Sequence, residues 1–164
     1  MDSESRPSRR RFLRRAAVTA GAGAFGAMAN ALPAAAAGTA AGSFMVIDPI
    51  RCYDSRPNTQ PAGVTKGELV GGTPRSVDVT VGGGVPVGAL AVVVNITIVP
   101  SSPTGYLQAY VPGGSYPTTS VLNWSAAGNP LANGATLKVG TYTTIGFLAN
   151  ASTHLIVDVT GYYK

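Results

Sequence analysis

The chain has 164 residues, 12 of them Lys or Arg and 7 Asp or Glu, for a formal net charge of +5, which gives room for one ordinary domain and raises the idea of a polyanion-binding surface. Location removes that idea: Arg6, Arg9, Arg10, Arg11, Arg14 and Arg15 crowd the start, and from Gly38 onward six basic residues stand against five acidic ones, so the charge carries no sign of nucleic-acid binding. With one His and one Cys in the whole chain, the ligand sets of zinc, haem and iron–sulfur centres are missing and no cofactor or metal is expected.

In chain order the leader comes first. The stretch "SRRRFLRR", residues 8 to 15, sets Arg9 and Arg10 one position ahead of Phe12 and Leu13, and it resembles a bacterial twin-arginine export signal. An Ala/Gly-rich run from Ala16 to Ala31 follows, then Pro33 and the small-residue tract "AAAAG". This pattern predicts a signal peptide over residues 1–37, cleaved between 36 and 41, a short linker over 38–43 and a domain over 44–164. The apolar run is too short and too rich in Gly to span a bilayer. The expectation is therefore a secreted protein whose partner during export is the twin-arginine translocase, with no stable membrane anchor after cleavage.

The rest reads as short runs rich in Val, Ile, Thr and Tyr: "FMVID" (44–48), "RCYDS" (51–55), "SVDVTV" (76–81), "ALAVVVNITIV" (89–99), "GYLQAYV" (105–111), "TSVLNW" (119–124), "ATLKV" (135–139), "TTIGFLA" (143–149) and "THLIVDVTGYY" (153–163). Turn signals such as "GGGVP", "PGGSYP", "AAGNP" and "LANG" separate them. About eight or nine short strands at this spacing predict an all-β protein, a single β-sandwich of jelly-roll type. A lone Cys52 cannot close an internal disulfide, so the core must hold the fold, and Cys52 reads as a small buried residue. Residues 57–72 form the one long irregular stretch, expected to cross between sheets or cover an edge.

Two strands share a pattern. In "VVVNIT" (92–97) and "LIVDVT" (155–160) the aliphatic side chains take one face and Asn95, Thr97, Asp158 and Thr160 the other. Asn95 and Asp158 are expected to bond to backbone groups of neighbouring loops; a shared polar binding surface is the alternative.

"IRCYDSRP", residues 50–57, packs Arg51, Asp54 and Arg56 close together. Two cations beside one carboxylate favour its ionised form, which suits a salt bridge and ill suits a proton donor, and no second carboxylate is marked for glycosidase chemistry. The expectation is a polar brace formed by Arg51, Asp54, Arg56, Asn95 and Asp158, with no catalytic residue. His154 has no nucleophile marked as its partner and the chain has no G-x-S-x-G motif.

The binding candidates are aromatic. Tyr106 and Tyr110 alternate with Leu107, Ala109 and Val111, so they oppose the aliphatic face; Gln108 lies between them and Trp124 stands near a loop. Rings with neighbouring amides make stacking platforms for sugars, and Tyr106, Gln108, Tyr110 and Trp124 are the candidate ligand site. The competing reading is that these rings simply fill sheet positions.

The stretches "DPIRCYDSRP", "GVPVGALAVVVNITIV", "GYLQAYVPGG" with "PTTSVLNW", "LKVG" and "LIVDVTGYY" resemble, in order, a secreted β-domain of actinobacteria that occurs alone, in tandem or appended to cell-wall hydrolases. The resemblance implies an extracellular, non-catalytic role at the cell envelope or its polysaccharides, and Cys52 stands where an aliphatic residue is more usual. The leading expectation is a non-catalytic secreted module that associates with the cell envelope or with cell-wall polysaccharide. The alternative is a structural surface protein that self-associates as a homo-oligomer through sheet edges or apolar faces, and a small secreted hydrolase comes third.

Overall fold

The computed structural model describes residues 42–164. The export motif at Arg9, Arg10, Phe12 and Leu13, the 1–37 signal segment, its cleavage window and the linker as far as residue 41 lie outside the described residues. Gly42 and Ser43, expected as linker, already donate backbone hydrogen bonds to Lys164 O at 2.7 and 3.1 Å.

Strict alternation in "AVVVNITIV" drives Val92, Val94, Ile96 and Ile98 to one side, where each is 2% exposed or less. The same rule buries Leu155, Val157 and Val159. These two segments are β3 (Ala91–Pro100) and β8 (Thr153–Tyr163), paired antiparallel at the middle of a sheet. The other strands are β1 (Phe44–Asp54), β2 (Arg75–Asp78), β4 (Gly105–Tyr110), β5 (Leu122–Trp124), β6 (Leu131–Lys138) and β7 (Thr144–Ala149). One sheet has the order β1-β8-β3-β6 and the other β2-β7-β4-β5.

The pairs β1·β8, β2·β7, β3·β6 and β4·β5 are those of a chain folded back on itself and then rolled up. β3·β8 and β4·β7 seal the roll. This is a jelly roll, the architecture expected from the sequence. Between the sheets, Val77, Leu107, Ile145 and Phe147 meet the aliphatic faces of β3 and β8, all 1% exposed or less. Each such side chain stabilises the fold by roughly 2 kcal/mol relative to exposure.

Two local expectations are corrected. "FMVID" and "RCYDS" are one strand, because Ile47, Asp48 and Pro49 fall in a register break between Val46↔Gly161 and Ile50↔Val159 that absorbs the proline. "LANG" is no turn: Leu131–Gly134 opens β6, in register with Ile98 to Asn95. The regular ladder offered by β3 overrides the turn preference of Asn and Gly.

Residues 57–72 connect β1 of one sheet to β2 of the other. Leu69, 1% exposed, pins the segment by an isolated bridge to Thr153. The ammonium of Lys66 stitches it internally, donating to Asp54 O (2.8 Å), Thr59 O (2.9 Å), Thr59 Oγ1 (3.2 Å) and Pro61 O (3.1 Å).

Candidate functional site

Where β1 leaves its sheet, Asp54 turns inward and loses all exposure. Arg56 donates to it three times: Nε to Oδ1 at 3.0 Å, Nη2 to Oδ2 at 2.7 Å, and its backbone N–H to Oδ1 at 3.0 Å. Arg51 Nη1 lies 3.5 Å from Oδ2. Burial opposes ionisation here, but the bonds from Arg56 and the charges of Arg56 and Arg51 outweigh it and hold the carboxyl below its ordinary value. A group so held is a poor proton donor.

Arg51 also reaches across the sheet. It stands opposite Asp158 in the β1·β8 register and grips it with Nε at 2.7 Å and Nη2 at 3.0 Å. The bond to Asp158 raises the Arg51 pKa. Asp158 therefore bonds a side chain on the next strand, where a loop backbone was expected. Asn95 faces Asp158 from β3, is exposed, and donates to Thr97 Oγ1 at 3.4 Å. Its expected bond to a loop backbone is likewise replaced by a neighbour on its own strand, because the outer face of β3 at this point is open to water.

His154 has partners that the sequence does not mark. Its Nδ1 lies 3.0 Å from Ser55 Oγ and its Nε2 3.7 Å from Glu68 Oε1. The outline is that of a serine–histidine–acid chain, but Ser55 has no exposed surface and its Oγ accepts the Leu155 N–H at 2.9 Å. A nucleophile must reach substrate, and this hydroxyl is engaged in joining the β1 corner to β8. Among the described residues there is no cluster of His, Cys, Asp and Glu able to hold a metal ion.

The aromatic candidates divide. On the outer face of β4, Tyr106 is 39% exposed, and its backbone N–H is fixed by Asn150 Oδ1 at 2.6 Å. Tyr106 and Gln108 line an open groove of about 430 Å³ with Pro117, Thr118, Ser120 and Asn123. The Gln108 side chain donates to Pro117 O at 2.5 Å, tying the 111–121 loop down as the far wall. Ser120 Oγ donates to Asn123 Oδ1 at 3.0 Å, which leaves the Asn123 NH₂ as a donor at the groove.

Tyr110 does not line the groove. Its ring lies over Gly146 on β7, where any Cβ would sit 2.5 Å from it, and meets Tyr116 edge-on with centroids 5.0 Å apart. Burial first, and Tyr116 second, raise its pKa. Trp124 is a correction to the candidate site. It is 5% exposed, packs against Gly105 so closely that a Cβ there would lie 2.2 Å from the ring, and donates Nε1–H to Ser102 O at 3.1 Å. In β5 the alternation buries Leu122 and Trp124 and exposes Asn123; the tryptophan is core, and the asparagine between is the groove residue the sequence reading passed over. Three residues are too few for "LNW" to reveal that alternation by itself.

No family model and no curated protein matches this chain.

Proposed function

We propose that the protein is a non-catalytic, secreted module that binds polysaccharide of the cell envelope through the β4–β5 groove. The observation that carries this reading is the exposed ring of Tyr106 set among the amides of Gln108 and Asn123 and the hydroxyls of Thr118 and Ser120. A sugar offers the matching pair of surfaces, an apolar face of C–H groups for the ring and hydroxyls for the polar wall. An open groove, as distinct from a closed pocket, suits a polymer that must pass through. The ionised state of Asp54 and the burial of Ser55 support a binding role over a hydrolytic one. The leader motif and the resemblance to the actinobacterial secreted domain support the envelope as the place of action.

The test is retention of the purified protein on insoluble peptidoglycan and on a panel of insoluble polysaccharides at two salt concentrations. Saturable retention on one polymer that survives high salt supports the reading, since stacking and neutral hydrogen bonds are weakly screened. No retention on any of them overturns it.

A further inference from the structure

The edge strands of the two sheets are β1 and β6 in one and β2 and β5 in the other. An edge exposes a row of unpaired N–H and C=O groups, and proteins blunt it with shortness, charge, proline or bulges. β5 has three residues, and β2 has four with Arg75 and Asp78 at its ends. β1 contains Asp48, Pro49 and Arg51 and breaks register twice against β8. β6 carries the fewest of these devices, a single terminal lysine. It runs 8 residues without proline, in unbroken register from Leu131↔Ile98 to Lys138↔Ala91, and its one charge is Lys138 at the very end.

Which of its groups face outward follows from the ladder. Val139 N–H donates to Leu90 O, so Val139, Leu137, Ala135 and Asn133 turn their peptide groups toward β3, and Ala132, Gly134, Thr136 and Lys138 turn theirs to the free edge. All four of these are exposed, and among the described residues no group bonds them from the outer side. Their side chains, apart from Lys138, are small and leave the edge open.

We infer that β6 is a self-association edge, on which the β6 of a second copy of this chain pairs antiparallel about a twofold axis through Ala135. In this register Ala132 stands opposite the partner's Lys138 and Gly134 opposite the partner's Thr136, and every outward group is matched. The two Lys138 ammonium groups lie at opposite ends of the junction, and only Gly, Ala and Thr meet at its centre, so neither like charge nor bulk opposes it. A foreign strand would need a charge pattern along the edge to select it, and β6, whose one charge is Lys138, has none. The hollow lined by Asn123, Trp124, Ser125 and Leu131 touches only the first residue of β6, whereas an identical strand is matched along the whole edge by the symmetry itself. Two sheets of the order β1-β8-β3-β6 would then fuse into one continuous sheet. The groove residues Tyr106 and Gln108 belong to β4 in the other sheet, so this inference does not depend on glycan binding.

Sedimentation of the full chain over a range of concentrations tests it. The expected result is a concentration-dependent doubling of mass, abolished by Thr136→Pro, which removes an outward N–H and leaves the bonds to β3 in place. A second variant fixes the register without disturbing the strand. Ala135→Cys falls on the axis in a non-hydrogen-bonded pair with Cα atoms about 4.5 Å apart, within disulfide range, and is expected to give a covalent dimer under mild oxidation. Ala132→Cys is expected to give none, and the buried Cys52 does not compete. A chain that stays monomeric to millimolar concentration, or that cross-links through position 132 and not 135, overturns the inference.

Discussion

Arg56 closes on Asp54 from two residues away, with Nε and Nη2 at 3.0 and 2.7 Å from the two carboxylate oxygens. The carboxylate has no exposed surface, while the Arg56 side chain is 38% exposed. The pair therefore spans the boundary between core and water at the corner where β1 hands the chain to the 57–72 crossing. Arg51 extends the link to Asp158 on β8, so one set of charges ties corner, edge strand and central strand together.

This arrangement makes part of the fold's stability sensitive to acid. The Asp54 pKa is lower folded than unfolded, where it is about 3.9, so the unfolded chain takes the proton first as pH falls. The contribution is whole above about pH 4 and is lost below it. Arg56→Met leaves a buried carboxylate facing only Arg51, and is expected to cost roughly 2–3 kcal/mol at neutral pH, the low end for a broken pair because the guanidinium is partly screened. Denaturant melts between pH 3 and 8 measure this; an Arg56→Met curve parallel to the wild type across that range would contradict it.

Cys52 contributes to the alkaline decline, beside Tyr53 and Tyr110, whose pKa values burial also raises. Burial pushes its thiol up to about 12 from an ordinary 9.0, and Sγ lies 3.4 Å from Val157 O. The unfolded thiol ionises first as pH rises, so the contribution is full below about pH 8.5 and drains away as pH climbs toward the folded value. Cys52→Val, close in volume and without a titrating group, is expected to flatten this alkaline decline and to change neutral stability by less than about 1.5 kcal/mol. Stability measured at pH 7 and pH 10 for both proteins decides it.

Lys66 is expected to be irreplaceable in the crossing segment. Three carbonyls and a hydroxyl converge on its ammonium, a geometry that the planar fork of arginine cannot reproduce. Lys66→Met and Lys66→Arg should each lower stability by about 2 kcal/mol and expose residues 57–72 to proteolysis. A Lys66→Arg protein as stable and as resistant as the wild type would refute the cage.

Tyr106 and Trp124 should separate binding from folding. Tyr106→Ala is expected to change stability by less than about 0.5 kcal/mol and to weaken glycan retention roughly three- to tenfold. Trp124→Ala, which empties a core site, is expected to cost about 3–5 kcal/mol. Thermal melts and retention assays on both variants test the division, and a large stability loss in Tyr106→Ala would place that ring in the core as well.

The sandwich was legible because side-chain alternation is a local code. In β3 and β8 it marked the buried face residue by residue, and the turn residues cut the chain into strands. Two kinds of feature escaped it. "LANG" has the composition of a turn, and only the presence of β3 beside it makes it a strand. Ser55 and His154, 99 residues apart, and His154 and Glu68 meet only because the roll brings the β1 corner, the crossing segment and the start of β8 together. The candidate site was half legible for the same reason. Tyr106 and Gln108 declared an outer face on a six-residue strand, whereas β5 is three residues long, too short for a period to show that Trp124 points inward and Asn123 outward.

A glycan seated in the β4–β5 groove is best detected residue by residue, through amide shifts of the labelled protein titrated with a soluble fragment of the polymer that retains it. Occupation of the groove is expected to give saturable shifts at Tyr106, Gln108, Asn123 and residues 117–120, with β1 and the Arg51–Asp54–Arg56 corner unmoved. Shifts centred on any other face, or none at saturating fragment, would contradict it.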